Sequence, residues 1–318
     1  MIIGGIEQWI SIRGVDRRNP VLLLLHGGPG YVQMPMSWWN ARGWEEYFTV
    51  VQWDQRGSGK TYLINDPAKV SPTMTFPRMI ADTEELITWL RKELGKDKIF
   101  VLGHSWGSYL GVEIAHRHPE WLHAYIGVGQ ISNNPIGEQR GWKLTRDAAL
   151  KDKNEEAVRQ LDSIAPYFTG EREPTLKDIF VERKWLELYG GVMAYRHNNR
   201  AESDLEELSP DYTDAEIAHI WDGNSFSEKA MLVDILKLNV AGLRKFDCPF
   251  ILFLGRHDTN VNSELAAEWF EQVTAPTKEL VWFEHSGHMP MTEEQGKFFL
   301  SLVRYARPLA ERSGDVAP

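Results

Sequence analysis

The sequence predicts an α/β protein: a mostly parallel central sheet flanked by helices and interrupted by one inserted helical block. Three observations carry that expectation. Short apolar runs of strand length alternate with amphipathic helical stretches in the first half, the pattern of a parallel sheet covered on both faces. Between residues 133 and 244 no such run occurs, and charged and aromatic residues recur at helical spacing. Apolar runs return after residue 245. The expected organisation is a core in two parts, residues 1–132 and 245–318, with a helical cap at 133–244.

Taken in order, Glu7 to Arg13 alternates apolar and polar residues through Trp9-Ile10-Ser11-Ile12, as a half-buried strand does. Asn19-Pro20 marks a turn, and Val21 to Leu25 then reads as a fully buried strand. Thr49 to Trp53, Lys98 to Leu102 and Ala124 to Val128 read the same way. The clearest helix runs from about Phe76 to Leu94, with Ile80, Thr83, Leu86, Ile87 and Leu90 on one face and Gly95 as its stop. In the inserted block, Pro166, Pro174 and Pro210 divide the chain into short helices. Its aromatics, Trp142, Tyr167, Phe168, Trp185, Tyr189 and Trp221, supply a cap core, with a minority left to line an apolar pocket. Strands resume at Phe250 to Leu254 and Glu279 to Phe283. A helix from about Thr292 to Ala306 closes the fold, and the tail Ser313 to Pro318 is expected to be disordered.

With 318 residues the chain is long enough for a large core without staples. A formal net charge of −10 argues against a nucleic-acid partner, because phosphate binding wants clustered Lys and Arg, and against an anionic membrane surface. The single cysteine, Cys248, excludes an intramolecular disulfide and precedes an apolar run, so a buried, inert thiol is expected. The first residues hold no basic segment followed by a long apolar one, so no secretory signal is read there and the cytoplasm is the expected compartment.

Gly103-His104-Ser105-Trp106-Gly107 follows one predicted strand and precedes a helical stretch. That is G-x-S-x-G in its strand–turn–helix setting, a nucleophile elbow. A sharp turn holds the serine hydroxyl out at a helix N-terminus, where the dipole favours developing negative charge. A serine needs a base to take its proton, and in this arrangement the order is Ser, acid, His. Asp258 follows the strand Phe250 to Leu254 and fits the acid. Of the two histidines in His285-Ser286-Gly287-His288, His288 lies beyond the flexible glycine and is the expected base. The pair has no third ligand at a recognisable spacing, so no metal site is expected. His26-Gly27-Gly28-Pro29-Gly30 leaves a buried strand with glycines that let backbone N–H groups approach a substrate. The Gly28 and Trp106 N–H groups are the expected oxyanion donors. Asp54 to Lys60 lacks the spacing of a phosphate-binding loop and reads as a structured turn tied by Asp54 and Arg56.

Five of these motifs, HGGPG at His26 to Gly30, DQRGSGK at Asp54 to Lys60, GHSWG at Gly103 to Gly107, GRHD at Gly255 to Asp258 and SGH at Ser286 to His288, resemble the prolyl iminopeptidases and their α/β-hydrolase relatives, in the same order. The resemblance covers about residues 5 to 130 and 245 to 310. It implies the α/β-hydrolase fold, Ser105 as nucleophile, Asp258 as acid, His288 as base, and Gly28 with Trp106 for the oxyanion. Members of that family hold the substrate's amino group with cap glutamates. Lys184-Trp185-Leu186-Glu187 looks like a loose counterpart of one, which makes Glu187 a candidate substrate contact; Trp185 and Tyr189 among the cap aromatics and Gly27 in the glycine-rich loop are further candidates. The Arg-Ile-Glu pattern of a later cap helix has no match in the nearest stretch, Ala230 to Asp234.

The expected activity is hydrolysis of a small amide or ester through an acyl-enzyme, with no cofactor or metal. The first expectation is an aminopeptidase acting on a short peptide or small molecule with N-terminal proline or a similar residue. A carboxylesterase, a small-molecule amidase or a lactone hydrolase uses the same chemistry. A non-catalytic ligand-binding relative is the alternative of another class.

Overall fold

The computed structural model describes residues 1–198 and 200–317. Two short strands, β1 (Ile2–Ile3) and β2 (Ile6–Glu7), pair as a hairpin outside the main sheet. The sheet itself holds β3 (Trp9–Arg13), β4 (Val21–Leu25), β5 (Thr49–Asp54), β6 (Ile99–His104), β7 (Leu122–Val128), β8 (Phe250–Gly255) and β9 (Lys278–Phe283). Their spatial order is β3-β5-β4-β6-β7-β8-β9. The edge strand β3 runs antiparallel to β5, and every other neighbouring pair is parallel. This is the α/β-hydrolase fold with its mostly parallel sheet.

Strands β4 to β8 are buried along their whole length, which is why they read as continuous apolar runs. Successive side chains leave opposite faces. Leu23 and Leu25 join a core with Leu86, Ile87, Leu110 and Trp269, while Leu22 and Leu24 join a second core with Phe48, Phe298 and Leu302. The helix Phe76–Glu93 is capped by Thr75 and stops before Gly95. Cys248 is buried, and burial pushes its thiol up to about 12.

Three expectations change. The strand expected over Glu7 to Arg13 is two strands. Gln8 breaks it by turning fully inward, where Nε2 donates to Ile3 O at 3.2 Å and Asp82 Oδ2 at 2.8 Å. The closing helix is not continuous from Thr292. Pro290–Glu293 and Gln295–Ser301 are separate turns because Glu294 leaves helical geometry at φ −124°, and the chain then runs on as a helix through Glu311. The tail is tied down at Asp315, which pairs with the Lys96 ammonium and, at 2.9 Å, with His123 Nε2. Pro318 lies outside the described residues.

The turn after β5 is structured as expected. Asp54 Oδ2 accepts the Lys60 N–H at 2.8 Å, and Arg56 donates to Gly4 O at 2.8 Å. Arg56 also pairs with Asp82 at 2.8 Å, both side chains fully buried.

Between β7 and β8 the chain forms the helices Asn134–Lys151, Glu155–Ser163, Leu176–Leu188, Arg200–Glu207 and Ile220–Ile235. The two ends of this insertion meet: the Asn134 N–H donates to Leu238 O at 2.9 Å and the Val240 N–H to Ser132 O at 2.8 Å. Trp142, Tyr167, Phe168, Trp185 and Tyr189 pack with Leu161 and Ile179 inside it. Among the described residues no helix is long and apolar enough to cross a membrane.

Candidate active site

Ser105 stands where β6 turns into the helix Trp106–Arg117, at φ 54° and ψ −120°. A side-chain-bearing residue rarely adopts positive φ, and such a conformation costs about 1–3 kcal/mol unless its surroundings impose it. Here they do. The Ser105 N–H donates to Val128 O at 2.9 Å, and its carbonyl accepts the Ser108 N–H at 2.8 Å and the Ser108 hydroxyl at 2.6 Å. The flanking glycines follow from close approach. A Cβ on Gly103 would lie 2.4 Å from Gly107 O, and one on Gly107 would lie 2.0 Å from Leu25 O.

Asp258 and His288 leave the C-terminal ends of β8 and β9, where parallel sheets place functional loops. Asp258 Oδ2 lies 2.7 Å from His288 Nδ1, and Oδ1 accepts the Val261 N–H at 3.0 Å. Both side chains are buried. A carboxylate oxygen can only accept, so Nδ1 carries the hydrogen and Nε2 is left as the acceptor. His285 is exposed, and its backbone N–H bonds to Glu294. Ser105 and His288 line one cavity of about 260 Å³. Among the described residues the Ser105 hydroxyl makes no hydrogen bond within the chain. Catalytic contacts of this kind often tighten only when substrate is bound.

His104, the residue before Ser105, supports the same loop. Its Nε2 lies 2.9 Å from His288 O and its Nδ1 lies 3.0 Å from Gln33 Nε2, so Nε2–H donates to the carbonyl and Nδ1 accepts. Burial holds this ring neutral, pulling it down to about 3. Gly28 lines the cavity at φ 105°. Gly27 lies against the serine, where a Cβ would sit 2.9 Å from Ser105 Cβ. Trp106 opens the elbow helix, and its indole donates to Gln55 Oε1 at 3.0 Å while Gln55 Nε2 donates to His26 O at 3.0 Å. Gln55 therefore ties the glycine-rich loop to the elbow.

The inserted helices bring Phe180, Arg183, Glu202, Trp221, Glu228 and Leu232 to this cavity. Glu202 and, behind it, Glu206 are buried on the helix Arg200–Glu207. Tyr31 OH donates to Glu202 Oε2 at 3.0 Å and Thr292 Oγ1 to Glu202 Oε1 at 3.3 Å. Burial pushes Glu202 up to about 7, and burial with the neighbouring Glu202 charge pushes Glu206 up to about 8. Burial also raises Glu228.

The expected substrate contacts on the helix Leu176–Leu188 are corrected. Phe180 and Arg183 reach the cavity. Glu187, one further turn and about 6 Å along the axis, does not line it. Trp185 turns the other way into the core of the insertion, its indole donating to Gln160 Oε1 at 3.0 Å. Tyr189 lines a neighbouring cavity with His257 and Thr259, and its hydroxyl donates to Asp152 Oδ2 at 3.3 Å. The acids that do reach the site, Glu202 and Glu228, were missed. Arg200-Ala201-Glu202 keeps the arginine and glutamate of the Arg-Ile-Glu pattern, two helices before the one that holds Ala230 to Asp234.

The family described as alpha/beta hydrolase fold matches residues 20–295. A probable aminopeptidase, YbaC, of Bacillus subtilis (strain 168) is 31% identical over 310 residues, covering 96% of this chain and 94% of the relative. A proline iminopeptidase of Clostridioides difficile (strain 630) is 26% identical over 310 residues, covering 95% and 94%. A solved proline iminopeptidase-related protein from Thermus thermophilus superposes with a TM-score of 0.67 at 21% identity, covering 97% of each chain. An esterase from Exiguobacterium antarcticum superposes with a TM-score of 0.60 at 18% identity, covering 95% of this chain and 96% of that one.

Proposed function

This chain belongs to the alpha/beta hydrolase fold family, and we propose that within it the chain works as a serine hydrolase of aminopeptidase type on short substrates with a free amino group. The observation that carries the reading is one cavity shared by an elbow serine, a histidine held by a buried aspartate at 2.7 Å, and a buried glutamate. His288 Nε2 takes the Ser105 proton as Oγ attacks the carbonyl. Asp258 keeps the ring in the required tautomer and stabilises the imidazolium that forms. The Gly28 and Trp106 N–H groups receive the oxyanion, each worth on the order of 3 kcal/mol of barrier. His288 returns the proton to the leaving amine, then draws one from water to release the acyl group.

Glu202, with Glu228 across the cavity, receives the substrate's ammonium. A carboxylate buried among Tyr31 and Thr292 is costly to ionise alone, and a bound cation offsets that cost. Residues 133–244 act as the lid that carries this specificity. The apolar walls at Phe180, Trp221 and Leu232 suit a small ring such as that of proline. Expected localisation remains the cytoplasm, and no cofactor enters the scheme.

The test is a fluorophosphonate probe followed by turnover of a proline arylamide and of a short-chain nitrophenyl ester. Labelling at Ser105, lost in Ser105→Ala, with arylamide turnover dominant, is the expected result. Dominant ester turnover assigns a carboxylesterase instead. No labelling and no turnover on either substrate overturns the hydrolase reading in favour of a ligand-binding relative.

A further inference from the structure

The loops that carry Asp258 and His288 both rest on the same four residues of the insertion. The Gly191 carbonyl accepts the Thr259 N–H at 3.2 Å, immediately after Asp258. The Val192 carbonyl accepts the His288 N–H at 2.6 Å. The Ala194 N–H donates to Glu293 Oε1 at 2.6 Å, and the other oxygen of that carboxylate accepts the Gly287 N–H at 2.8 Å. Packing agrees with the hydrogen bonds. A Cβ on Gly287 would lie 2.5 Å from Val192 O, and one on Gly191 would lie 2.2 Å from Thr259 Oγ1 and 2.8 Å from Leu186.

We propose that Gly191–Ala194, together with Glu293, is a positioning element through which the insertion sets the relative placement of Asp258 and His288. The inference rests on the assignment of those two residues as acid and base. Its physical content is geometric. A loop with one backbone anchor on each of two partners transmits its own displacement to both. A misplacement of about 1 Å in such a constellation costs on the order of 100-fold in rate. Glu293 is the side chain that closes the link, because its two oxygens reach one N–H on either side. Glutamine at that position offers one acceptor and sets an amide NH₂ against a backbone donor. Glu294, the next residue, accepts from the His285 N–H and the Ser286 hydroxyl, both on the base loop itself.

The experiment uses the full chain. Fluorophosphonate labelling counts competent sites, and kcat per labelled site and KM are then measured on whichever of the two substrates above the unaltered chain turns over. For Glu293→Gln we expect kcat per labelled site to fall about tenfold or more with KM within about threefold. A merely structural role would reduce the number of labelled sites and leave kcat per site unchanged. Retention of kcat per site within about twofold overturns the proposal. If Glu293→Gln does not fold, Gly191→Ala decides by the same two limits, since its methyl displaces the loop from Thr259. Failure of the unaltered chain to label at Ser105 would instead overturn the hydrolase reading beneath it.

Discussion

Replacing Glu202 by glutamine removes one charge from the cavity and little else. Tyr31 and Thr292 are hydroxyl partners that can turn, so the amide keeps one acceptor and gains a donor for the other. An ammonium about 4 Å from a carboxylate gains about 4 kcal/mol at an effective dielectric of about 20. Truncating one partner of a buried charge pair costs about 2–5 kcal/mol. Glu206, one helical turn away, and Glu228 remain to compensate, so the lower half of that range applies, about 2–3 kcal/mol, or roughly 30- to 150-fold in kcat/KM. The assay compares the proline arylamide with an ester that has no amino group. The loss should fall on the arylamide, with the ester changed by less than about threefold. The pH dependence follows from the same carboxyl group. Burial raises Glu202 to about 7, so below that pH it is protonated and KM for the arylamide rises while that for the ester does not. A carboxyl raised in the fold contributes stability that is fully present below its unfolded value of 4.5 and is lost as pH rises through about 7. The ligand-free Glu202→Gln chain should therefore gain in Tm over the unaltered chain at pH 8.5 and not at pH 4. Equal losses on both substrates, or no loss on either, would refute the ammonium assignment.

Three further predictions concern the neighbouring residues. His288→Ala should abolish turnover and labelling at Ser105, while His285→Ala, exposed and away from Asp258, should stay within about twofold; equal losses in steady-state rates would refute the choice between them. Asp258→Asn should lower kcat by about 10⁴ through loss of the tautomer that leaves Nε2 free, with KM little changed. Asp82→Ala leaves the buried Arg56 guanidinium without its carboxylate and should cost about 3–5 kcal/mol in urea unfolding, far more than loss of an exposed pair such as Arg140 with Glu268.

Much of the core was legible because its signals are local. The continuous apolar runs that became β4 to β8 are what burial on both faces demands, and Gly103 records a close approach to Gly107 within the five-residue elbow. The inserted helices were legible as helices but not as walls. In Arg200-Ala201-Glu202-Ser203-Asp204-Leu205-Glu206-Glu207 an acidic helix of this composition reads as a solvated face, and only docking against distant segments, with Tyr31 and Thr292 bonding Glu202, buries Glu202 and Glu206. Glu187 failed for the converse reason. Its helix does reach the site, but the depth at which a helix meets a cavity is a rigid-body property that periodicity does not contain.

The sequence by itself determined the layered sheet, the helical insertion and the elbow at Ser105, because strand length, period and turn sterics act between residues close in the chain. It also carried the order serine, aspartate, histidine. The tertiary structure meets the expectation that His288 pairs with Asp258, but it alone decided that Glu202 and Glu228 rather than Glu187 face the cavity, and that Gly191 and Val192 bond to the loops carrying Asp258 and His288. Those outcomes depend on contacts between segments tens to hundreds of residues apart, and desolvation, which gives such contacts their strength and lifts the carboxyl groups, exists only once the segments are packed together.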